Sequence, residues 1–439
     1  MEAAEAMPQA TISSTQQTIS QLAAQPAVHR AFQWFHLQEP QLRRWHREIA
    51  SIAAPPFGEQ TRAAWLCQRF TELGLDDVHI DACGNALGWW RGTAVPAVTP
   101  EDFRPCLLLS AHIDTVFPVE AMRAPIEQDS LLFAPGVSDN SAGVTALLAL
   151  AAALHTVPLQ TEMDILFAGN VGEEGEGNLR GMRHLFTESP HRHRITAVVV
   201  LDGAGVESIV TQGLGSRRFC VTITGPGGHS WSDAGTPNPI LTLANALTEM
   251  QKIEIPSLPR TAWNVGRIEG GTSINAIPER AEARIDMRST DTAQLLRLEL
   301  ALRRAVEEAV LASNRAGNAQ SDGNANSNGQ NSNGSGHHLP LEYSIEMIGE
   351  RPAARLPLDA HLLSVLRAVD RHFSIHSEQR TASTDANIPL SLGIEAVSIG
   401  SGGSGGGMHT REEWFDATGR DLGLRRILLL LLALTQTSS

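Results

Sequence analysis

Two adjacent glutamates form the stretch of this sequence with the most unusual chemistry. Glu173 and Glu174 stand between Gly172 and Gly175, shortly after the apolar run 165–168. An apolar strand that stops at a glycine-rich acidic turn brings two like charges close to the protein interior. Burying adjacent anions is costly unless a cation or a proton compensates. The pair is therefore either a solvated acidic loop or part of a site that binds positive charge.

Further residues with ligand chemistry stand at or just beyond other predicted strand ends: His112, Asp114, Asp139, Asp202 and His409. A parallel sheet gathers its strand ends along one edge, so these groups would concentrate negative charge there. Divalent metal resolves that charge. Imidazole and carboxylate without thiolate suit zinc first, with cobalt or manganese as alternatives. Two metals need roughly three ligands each with one bridging carboxylate, which two histidines and three acids can supply.

Asp114 has a separate predicted task. It stands two residues after His112 and could hold the second ring nitrogen of that histidine, which would fix the tautomer. We therefore expect Asp114 to support catalysis by orienting His112, a candidate metal ligand.

The elements that must position these residues alternate between strand and helix up to about residue 213. This pattern predicts an α/β fold with a mostly parallel sheet and helices on both faces. Beyond that point, runs 218–224 and 281–288 alternate with the period of half-exposed strands, and helical stretches 240–252 and 292–312 lie among them. The second part is predicted to be an inserted α+β domain.

The predicted domain plan has a catalytic domain in two parts, 30–213 and 351–439, with the insert at 214–350. Within the insert, residues 314–336 are almost wholly Asn, Gly, Ser, Gln and Ala, which predicts a disordered loop. The glycine-rich run 402–407 is either a linker or a functional loop, and the histidine that follows it favours a functional loop.

Bulk composition excludes several classes of protein. With 439 residues and 42% apolar residues, the chain is long enough for two globular domains. The net charge of −14 argues against nucleic acid or an anionic membrane as a partner. The four cysteines are scattered without a CxxC pair, and the N-terminus lacks the pattern of a secretory signal. We therefore expect a cytoplasmic protein.

Taken together, the order and spacing of these residues resemble the co-catalytic zinc site of the M20 metallopeptidases. The matching positions are His112-Ile113-Asp114, Asp139, Glu173-Glu174, Asp202 and His409. The resemblance runs from about Pro55 to the C-terminal helix and includes the inserted domain, which it implies is a lid and dimerisation domain. It implies a zinc-peptidase-like fold with two Zn²⁺ ions.

The resemblance also implies a role for each residue. The implied ligand sets share Asp139 and are His112–Asp139–Asp202 for one ion and Asp139–Glu174–His409 for the other. Glu173 is then the general base that takes a proton from the metal-bridging water as that water attacks an amide carbonyl. The resemblance further implies that the Asp139–Asn140 peptide bond is cis.

Four residues are candidates for binding substrate. By resemblance, His229 within Gly225–Ser230 is the lid histidine that stabilises the tetrahedral oxyanion and reaches across a dimer. Asn275 and Arg288 match substrate-holding residues, and Arg288 could clasp a carboxylate or be only a surface charge. Gly403 belongs to a loop whose backbone amides would face the ligand.

These features predict a metal-dependent hydrolase that cleaves a peptide bond, of the aminopeptidase or dipeptidase type, or an N-acyl amide bond in a small substrate. The alternatives are an N-acyl-amino-acid deacylase of the same family and a catalytically silent metal-binding protein of this fold. Retention of Glu173 beside every implied ligand counts against the silent protein. We also expect a homodimer formed through the lid.

Overall fold

The computed structural model describes residues 14–93, 104–324 and 339–436. The helices are α1 (Ser14–Ala23), α2 (Pro26–Leu37), α3 (Glu39–Ala50), α4 (Gln60–Glu72), α5 (Ser141–Thr156), α6 (Arg180–Thr187), α7 (Pro239–Gln251), α8 (Thr292–Asn324), α9 (His361–His372), α10 (Asn387–Ser391) and α11 (Arg420–Leu434). Within these ranges, no helix combines the length and the apolar character needed to cross a membrane.

The strands are β1 (Asp76–Ile80), β2 (Ala86–Trp90), β3 (Cys106–His112), β4 (Ile126–Gln128), β5 (Leu131–Phe133), β6 (Asp164–Asn170), β7 (Ile195–Leu201), β8 (Ser208–Gly213), β9 (Gly215–Thr224), β10 (Gly228–His229), β11 (Thr261–Gly270), β12 (Ala276–Ile277), β13 (Arg280–Ser289), β14 (Glu342–Arg351), β15 (Ala354–Arg355), β16 (Glu378–Ala382), β17 (Glu395–Ile399), β18 (Ser404–Gly406) and β19 (Trp414–Asp416).

The chain divides into two compact units. The first unit comprises residues up to 213 together with residues from 355 onward, and the second unit comprises 214–354. The second boundary lies just beyond β14, whereas the sequence analysis placed it at 350.

The first unit also includes α1 and the start of α2, which precede residue 30, where the predicted catalytic domain begins. In α1, Ile19, Leu22 and Ala23 are buried and recur at the spacing of one helix face. This face packs against α9 and α11. The N-terminal helices are therefore part of the core of the first unit.

A large sheet forms the centre of the first unit, and its strands lie in the order β1-β2-β6-β3-β7-β17-β8. The central strands β6, β3, β7 and β17 are parallel, and β2 runs antiparallel to β1 and β6. Strand β8 runs antiparallel to β17 and parallel to β16. Every residue of β3 and β6 is buried, as expected for central strands of a parallel sheet. The predicted α/β fold with a mostly parallel sheet is confirmed.

The second unit is an antiparallel sheet with two helices. Its strands lie in the order β11-β13-β9-β14, and α7 and α8 pack against β9 and β13. Residues of β13 alternate between buried and more exposed positions, which is the two-residue period that the sequence shows. The resulting core includes Phe219, Val221, Ile285, Met287 and Leu298.

Helix α8 continues beyond its predicted end. The composition of 314–336 predicts a disordered loop, but the helix extends to Asn324, and the rest of that loop lies outside the described residues. The start of this stretch is held by tertiary contacts, because the side chain of Asn314 donates to the carbonyl oxygen of Leu341 at 3.1 Å and accepts from the amide of Leu341 at 2.8 Å. Tertiary contacts of this kind are absent from any composition-based prediction.

A small antiparallel sheet of β18, β19, β5 and β4 completes the first unit. The glycine-rich run 402–407 therefore contains a strand and is not a linker. Gly403 has a φ of 69°, and a Cβ at this position would lie 2.5 Å from the carbonyl oxygen of Asp416. The close approach to β19 is thus a structural reason for glycine at this position. The ligand-facing role of Gly403 stays a prediction.

Candidate active site

Several predicted site residues lie at one edge of the large sheet. His112 is the last residue of β3, and Asp202 directly follows β7. Glu173 and Glu174 follow β6 after a short turn. Because β3, β6 and β7 are parallel, their carboxyl ends meet at the same edge, which brings these side chains together.

Asp139 and His409 lie in turns, although the sequence analysis placed both at strand ends. Asp139 precedes α5, and the next residue, Asn140, caps that helix by accepting from the amide of Gly143 at 3.0 Å. The Asp139–Asn140 peptide bond is cis, as the resemblance implied. His409 lies between β18 and β19. The small sheet, rather than a central strand, therefore positions His409.

Two groups of potential ligand atoms share Asp139. Within each group, one nitrogen or oxygen atom of every residue lies within 4.8 Å of the others, and the groups are His112–Asp139–Asp202 and Asp139–Glu174–His409. A third group of described residues within the same limit joins His112 to Glu173 and Glu174. Imidazole and carboxylate donors in sets of three fit a catalytic zinc ion, which keeps a further position open.

The two oxygens of Asp139 face different histidines. Oδ1 lies 2.9 Å from Nε2 of His112, and Oδ2 lies 3.1 Å from Nε2 of His409. Nε2 of His409 is also 3.2 Å from Oε1 of Glu174. A carboxylate that bridges two ions needs one oxygen directed to each, and Asp139 has this arrangement.

The electrostatics of the cluster favour bound positive charge. Burial opposes a charge on His112, but hydrogen bonds to the carboxylates of Asp114, Asp139 and Asp202 raise its pKa well above the usual value. Hydrogen bonds to Asp139 and Glu174 raise the pKa of His409 to about 10. Burial raises the pKa of Glu174. Divalent cations would supply the positive charge that these carboxylates favour.

Asp114 contacts both His112 and the acidic turn. Its carboxylate accepts hydrogen bonds from the amides of Glu173 at 3.0 Å and Glu174 at 2.8 Å. Nδ1 of His112 is 3.2 Å from the carbonyl oxygen of Asp114 and 3.6 Å from its carboxylate. Nδ1 of His112 therefore faces both the backbone carbonyl and the carboxylate of Asp114, and the tautomer-fixing role of Asp114 stays a prediction.

Burial would by itself raise the pKa of the Asp114 carboxyl. The hydrogen bond and charge of His112, together with the amides of Glu174 and Glu173, hold that pKa below its usual value. Asp114 is therefore an anion that orders the acidic turn.

The acidic turn itself is tightly packed. Glu173 and Glu174 are each only 6% exposed, whereas Glu176 is exposed. Gly172 has a φ of 70°, and a Cβ there would lie 2.1 Å from Nη1 of Arg180. The same Cβ would lie 3.0 Å from the carbonyl oxygen of Gly177, so the positive φ and the close backbone both favour glycine.

Glu413 binds the turn that carries Asp139, and the sequence analysis gave it no role. The buried carboxylate accepts hydrogen bonds from the amides of Gly136 at 2.9 Å, Ser138 at 2.8 Å and Asp139 at 2.8 Å. Burial raises the pKa of Glu413 to about 7 despite these donors. Its position shortly after His409 was the only sequence signal.

Arg62 and Asp385 are two further buried groups beside the site that sequence reasoning missed. Arg62, on α4, donates to the carbonyl oxygen of Ile113 at 3.0 Å, between two predicted site residues. Asp385 accepts from the side chain of Asn170, the last residue of β6, at 2.6 Å, and burial raises its pKa to about 7. A single charged residue in an amphipathic helix or a loop carries no pattern that would have revealed either group.

His46, on α3, also holds the Asp139 turn. Its Nε2 lies 2.7 Å from the carbonyl oxygen of Val137, and its Nδ1 lies 2.9 Å from Nη2 of Arg420. Burial, followed by the charge of Arg420, lowers the pKa of His46 to about 3. The ring is therefore neutral in the folded protein at physiological pH and accepts from the arginine while donating to Val137.

We expect His46 to make the protein less stable in acid. Between its ordinary pKa of about 6.5 and its folded value, the unfolded chain binds a proton that the folded protein does not, so stability falls as pH falls through this window. The loss attributable to His46 between pH 7 and pH 5 is about 2 kcal/mol. Denaturant unfolding with a chelator present should show that His46→Gln lacks this part of the loss.

The same substitution at His29, which is exposed, is the matched control for this prediction. It should leave the pH dependence of wild type intact. If His46→Gln and wild type lost stability in parallel between pH 7 and pH 5, His46 would not be the titrating group.

The predicted substrate-binding residues of the lid lie in the second unit. Nδ1 of His229 accepts from the amides of Trp231 at 3.1 Å and Ser232 at 3.3 Å, so Nε2 carries the hydrogen in the neutral ring. The side chain of Asn275 accepts from Ser273 at 2.7 Å. In this tautomer Nε2 of His229 is a hydrogen-bond donor, which is the form that would stabilise an oxyanion.

Arg288 already has a carboxylate partner within its own strand. Its Nε donates to Asp286 at 2.7 Å, and its side chain is 44% exposed. Its role in clasping a substrate carboxylate stays a prediction.

The two groups of ligand atoms share the carboxylate of Asp139. Together they define a candidate dinuclear metal site at the carboxyl edge of the large sheet. The model of Peptidase family M20/M25/M40 matches residues 108–433. The chain belongs to this family.

Individual relatives have low sequence identity to this chain. A probable carboxypeptidase of Aspergillus flavus is 29% identical over 205 residues, which are 42% of this chain and 48% of that protein. The chain thus spans about half the length of this curated relative.

Solved structures show the same fold over most of the chain. Aminopeptidase PepT from Bacillus cereus has a TM-score of 0.66 and 18% identity, covering 90% of this chain and 98% of PepT. A dinuclear metal-binding peptidase of the M20 family from Bacillus subtilis has a TM-score of 0.62 and 13% identity, covering 91% and 99%.

Proposed function

We propose that this protein is a metal-dependent hydrolase that cleaves peptide bonds in small peptides at a pair of divalent ions. The observation that carries the proposal is the shared carboxylate, because each oxygen of Asp139 faces a separate group of ligand atoms. Membership of the peptidase family supports the reaction class. The description of the related Bacillus subtilis peptidase as dinuclear supports the number of ions.

The proposed ligands are His112, Asp139 and Asp202 for one ion and Asp139, Glu174 and His409 for the other. Zinc fits the imidazole and carboxylate donors best, and cobalt and manganese are the alternatives. When bound, such ions polarise the substrate carbonyl and lower the pKa of the attacking water.

Glu173 handles the proton in the proposed mechanism. One of its carboxylate oxygens takes the proton from the attacking water and later returns it to the leaving amine. Its backbone amide is fixed by Asp114, so the side chain starts from a defined position beside the ligands. The third group of donor atoms, which joins Glu173 to His112 and Glu174, supports this proximity.

Substrate binding is proposed to involve the residues that the resemblance identified. His229 would donate from Nε2 to the developing oxyanion, which its tautomer supports. Asn275, Arg288 and Gly403 would hold the substrate, with Arg288 exchanging Asp286 for a substrate carboxylate. The names of the relatives include a carboxypeptidase and an aminopeptidase, so we propose a small peptide whose terminus lies in the site.

A substrate panel tests the proposal. Zinc-loaded protein is incubated with dipeptides, tripeptides carrying free or blocked termini, and N-acyl amino acids, and products are separated by mass. Cleavage of peptides with a free terminus is the expected result. Cleavage of N-acyl amino acids alone would replace the peptidase by a deacylase, and no cleavage at all would favour a silent metal-binding protein.

We also propose a homodimer formed through the second unit and a cytoplasmic location. The dimer rests on the family resemblance of the lid. The location is supported by Cys67, Cys83, Cys106 and Cys220, all of which are free thiols. If the fully active protein sedimented as a monomer, the proposed homodimer would be wrong.

A further inference from the structure

We propose that Glu413 is a positioning residue of the metal centre: it fixes the turn that presents Asp139 against the segment that presents His409. This inference rests on the proposed dinuclear site. Glu413 itself belongs to none of the ligand groups that the described residues form. It acts through Asp139, whose amide it binds.

Glu413 is anchored at both its main chain and its side chain. Its amide donates to Thr410 at 3.3 Å, and the amide of Thr410 donates to Gly407 at 3.0 Å, which closes the segment around His409. The carbonyl oxygen of Glu413 accepts from the amide of Ala134 at 3.2 Å. Through Glu413, the backbone segment that carries His409 is therefore hydrogen-bonded to Ala134, which lies between β5 and the Asp139 turn.

The side chain ties the same segment to the turn itself. Oε1 accepts from the amides of Ser138 and Asp139, and Oε2 accepts from the amide of Gly136. These are amides close to, or belonging to, the residue that both ligand groups share. A shift of Glu413 would therefore move Asp139 relative to His409, and the two residues lie together in one ligand group.

Only a carboxylate satisfies this arrangement. The three amides are donors, and both oxygens of Glu413 are in use. A glutamine offers one acceptor oxygen and one donor nitrogen, so at least one amide would face another donor. Because the residue is fully buried, water cannot readily replace the lost hydrogen bond. The turn would then relax away from the geometry that places Asp139 between the two histidines.

The test measures the affinity of the purified protein for Zn²⁺ by competition with a chromophoric chelator. We expect wild type to bind two equivalents and Glu413→Gln to bind at least one of them about 10- to 100-fold more weakly, as for other residues that orient metal ligands. The absorption spectrum of the Co²⁺-substituted protein should also change. A purely structural role would lower the unfolding temperature but leave the affinity and the spectrum as in wild type.

Glu412→Gln is the matched control, because Glu412 adjoins Glu413 while its side chain is 82% exposed. It should bind Zn²⁺ like wild type. Wild-type affinity and spectrum in Glu413→Gln would overturn the inference while leaving the proposed function intact. Failure of wild type itself to bind two equivalents would overturn both.

A second variant covers the case in which Glu413→Gln does not fold. Glu413→Asp keeps the charge but is one methylene shorter, so its carboxylate cannot reach all three amides at once. We expect a smaller loss of Zn²⁺ affinity in the same direction. Wild-type affinity in Glu413→Asp would overturn the inference.

Discussion

Replacing Glu173 with glutamine is expected to lower kcat by about 10²- to 10⁴-fold, the usual contribution of a general base, while both metal equivalents remain bound. Glutamine keeps the size of the side chain and the backbone hydrogen bond to Asp114. Its amide cannot take a proton from water. Steady-state kinetics on the best peptide of the panel, with metal content measured on the same sample, checks this result.

Glu176 provides the control for this experiment, because it belongs to the same acidic turn but is exposed. Glu176→Gln should retain wild-type turnover. Near-normal activity in Glu173→Gln would remove Glu173 from the role of base. Loss of a metal equivalent in that variant would instead make Glu173 a ligand, as its place in the third donor group allows.

Asp139→Ala is expected to abolish binding of both ions. Asp139 is the member common to the two ligand groups, so its loss leaves each ion with two of its proposed protein ligands. Catalytic zinc sites use three protein ligands, so we expect a site left with two protein ligands to lose its ion. Metal content should fall from two equivalents to nearly none, and turnover should become undetectable. The backbone amide that binds Glu413 remains in the alanine variant, so the turn keeps that contact.

Asp202→Ala is the control variant for Asp139→Ala. Asp202 belongs to one of the two groups that share Asp139, so its loss should remove one ion and leave the other bound. Equal loss of a single equivalent in Asp139→Ala and Asp202→Ala would show that the carboxylate of Asp139 is not shared.

Two of the ligand residues, His112 and Asp202, could be predicted because their positions follow from strand order. His112 and Asp202 end or directly follow buried apolar runs, and parallel strands bring such ends together without any knowledge of packing. The order of roles within the Glu173-Glu174 pair came from the family resemblance. The structure adds that Oε1 of Glu174 faces His409.

The supporting residues could not be predicted for a physical reason. Glu413 binds amides of residues far away in the chain, and His46 and Arg62 bind carbonyl oxygens in the same way. Such contacts depend on how helices pack on the sheet and leave no periodicity in the sequence. The same limit applies to Asn314, whose hydrogen bonds to Leu341 accompany helix α8 in a stretch where composition predicts disorder.

The fully buried Arg62 and His46 also bear on how much of the chain a working fragment would need. The segment matched by the family begins at residue 108 and includes all the proposed ligands and the proposed base. A fragment starting there would lack Arg62 and His46, whose side chains hydrogen-bond to the carbonyl oxygens of Ile113 and Val137. It would also lack β1 and β2 at the border of the sheet. The smallest active unit is therefore longer than the region that carries the chemistry.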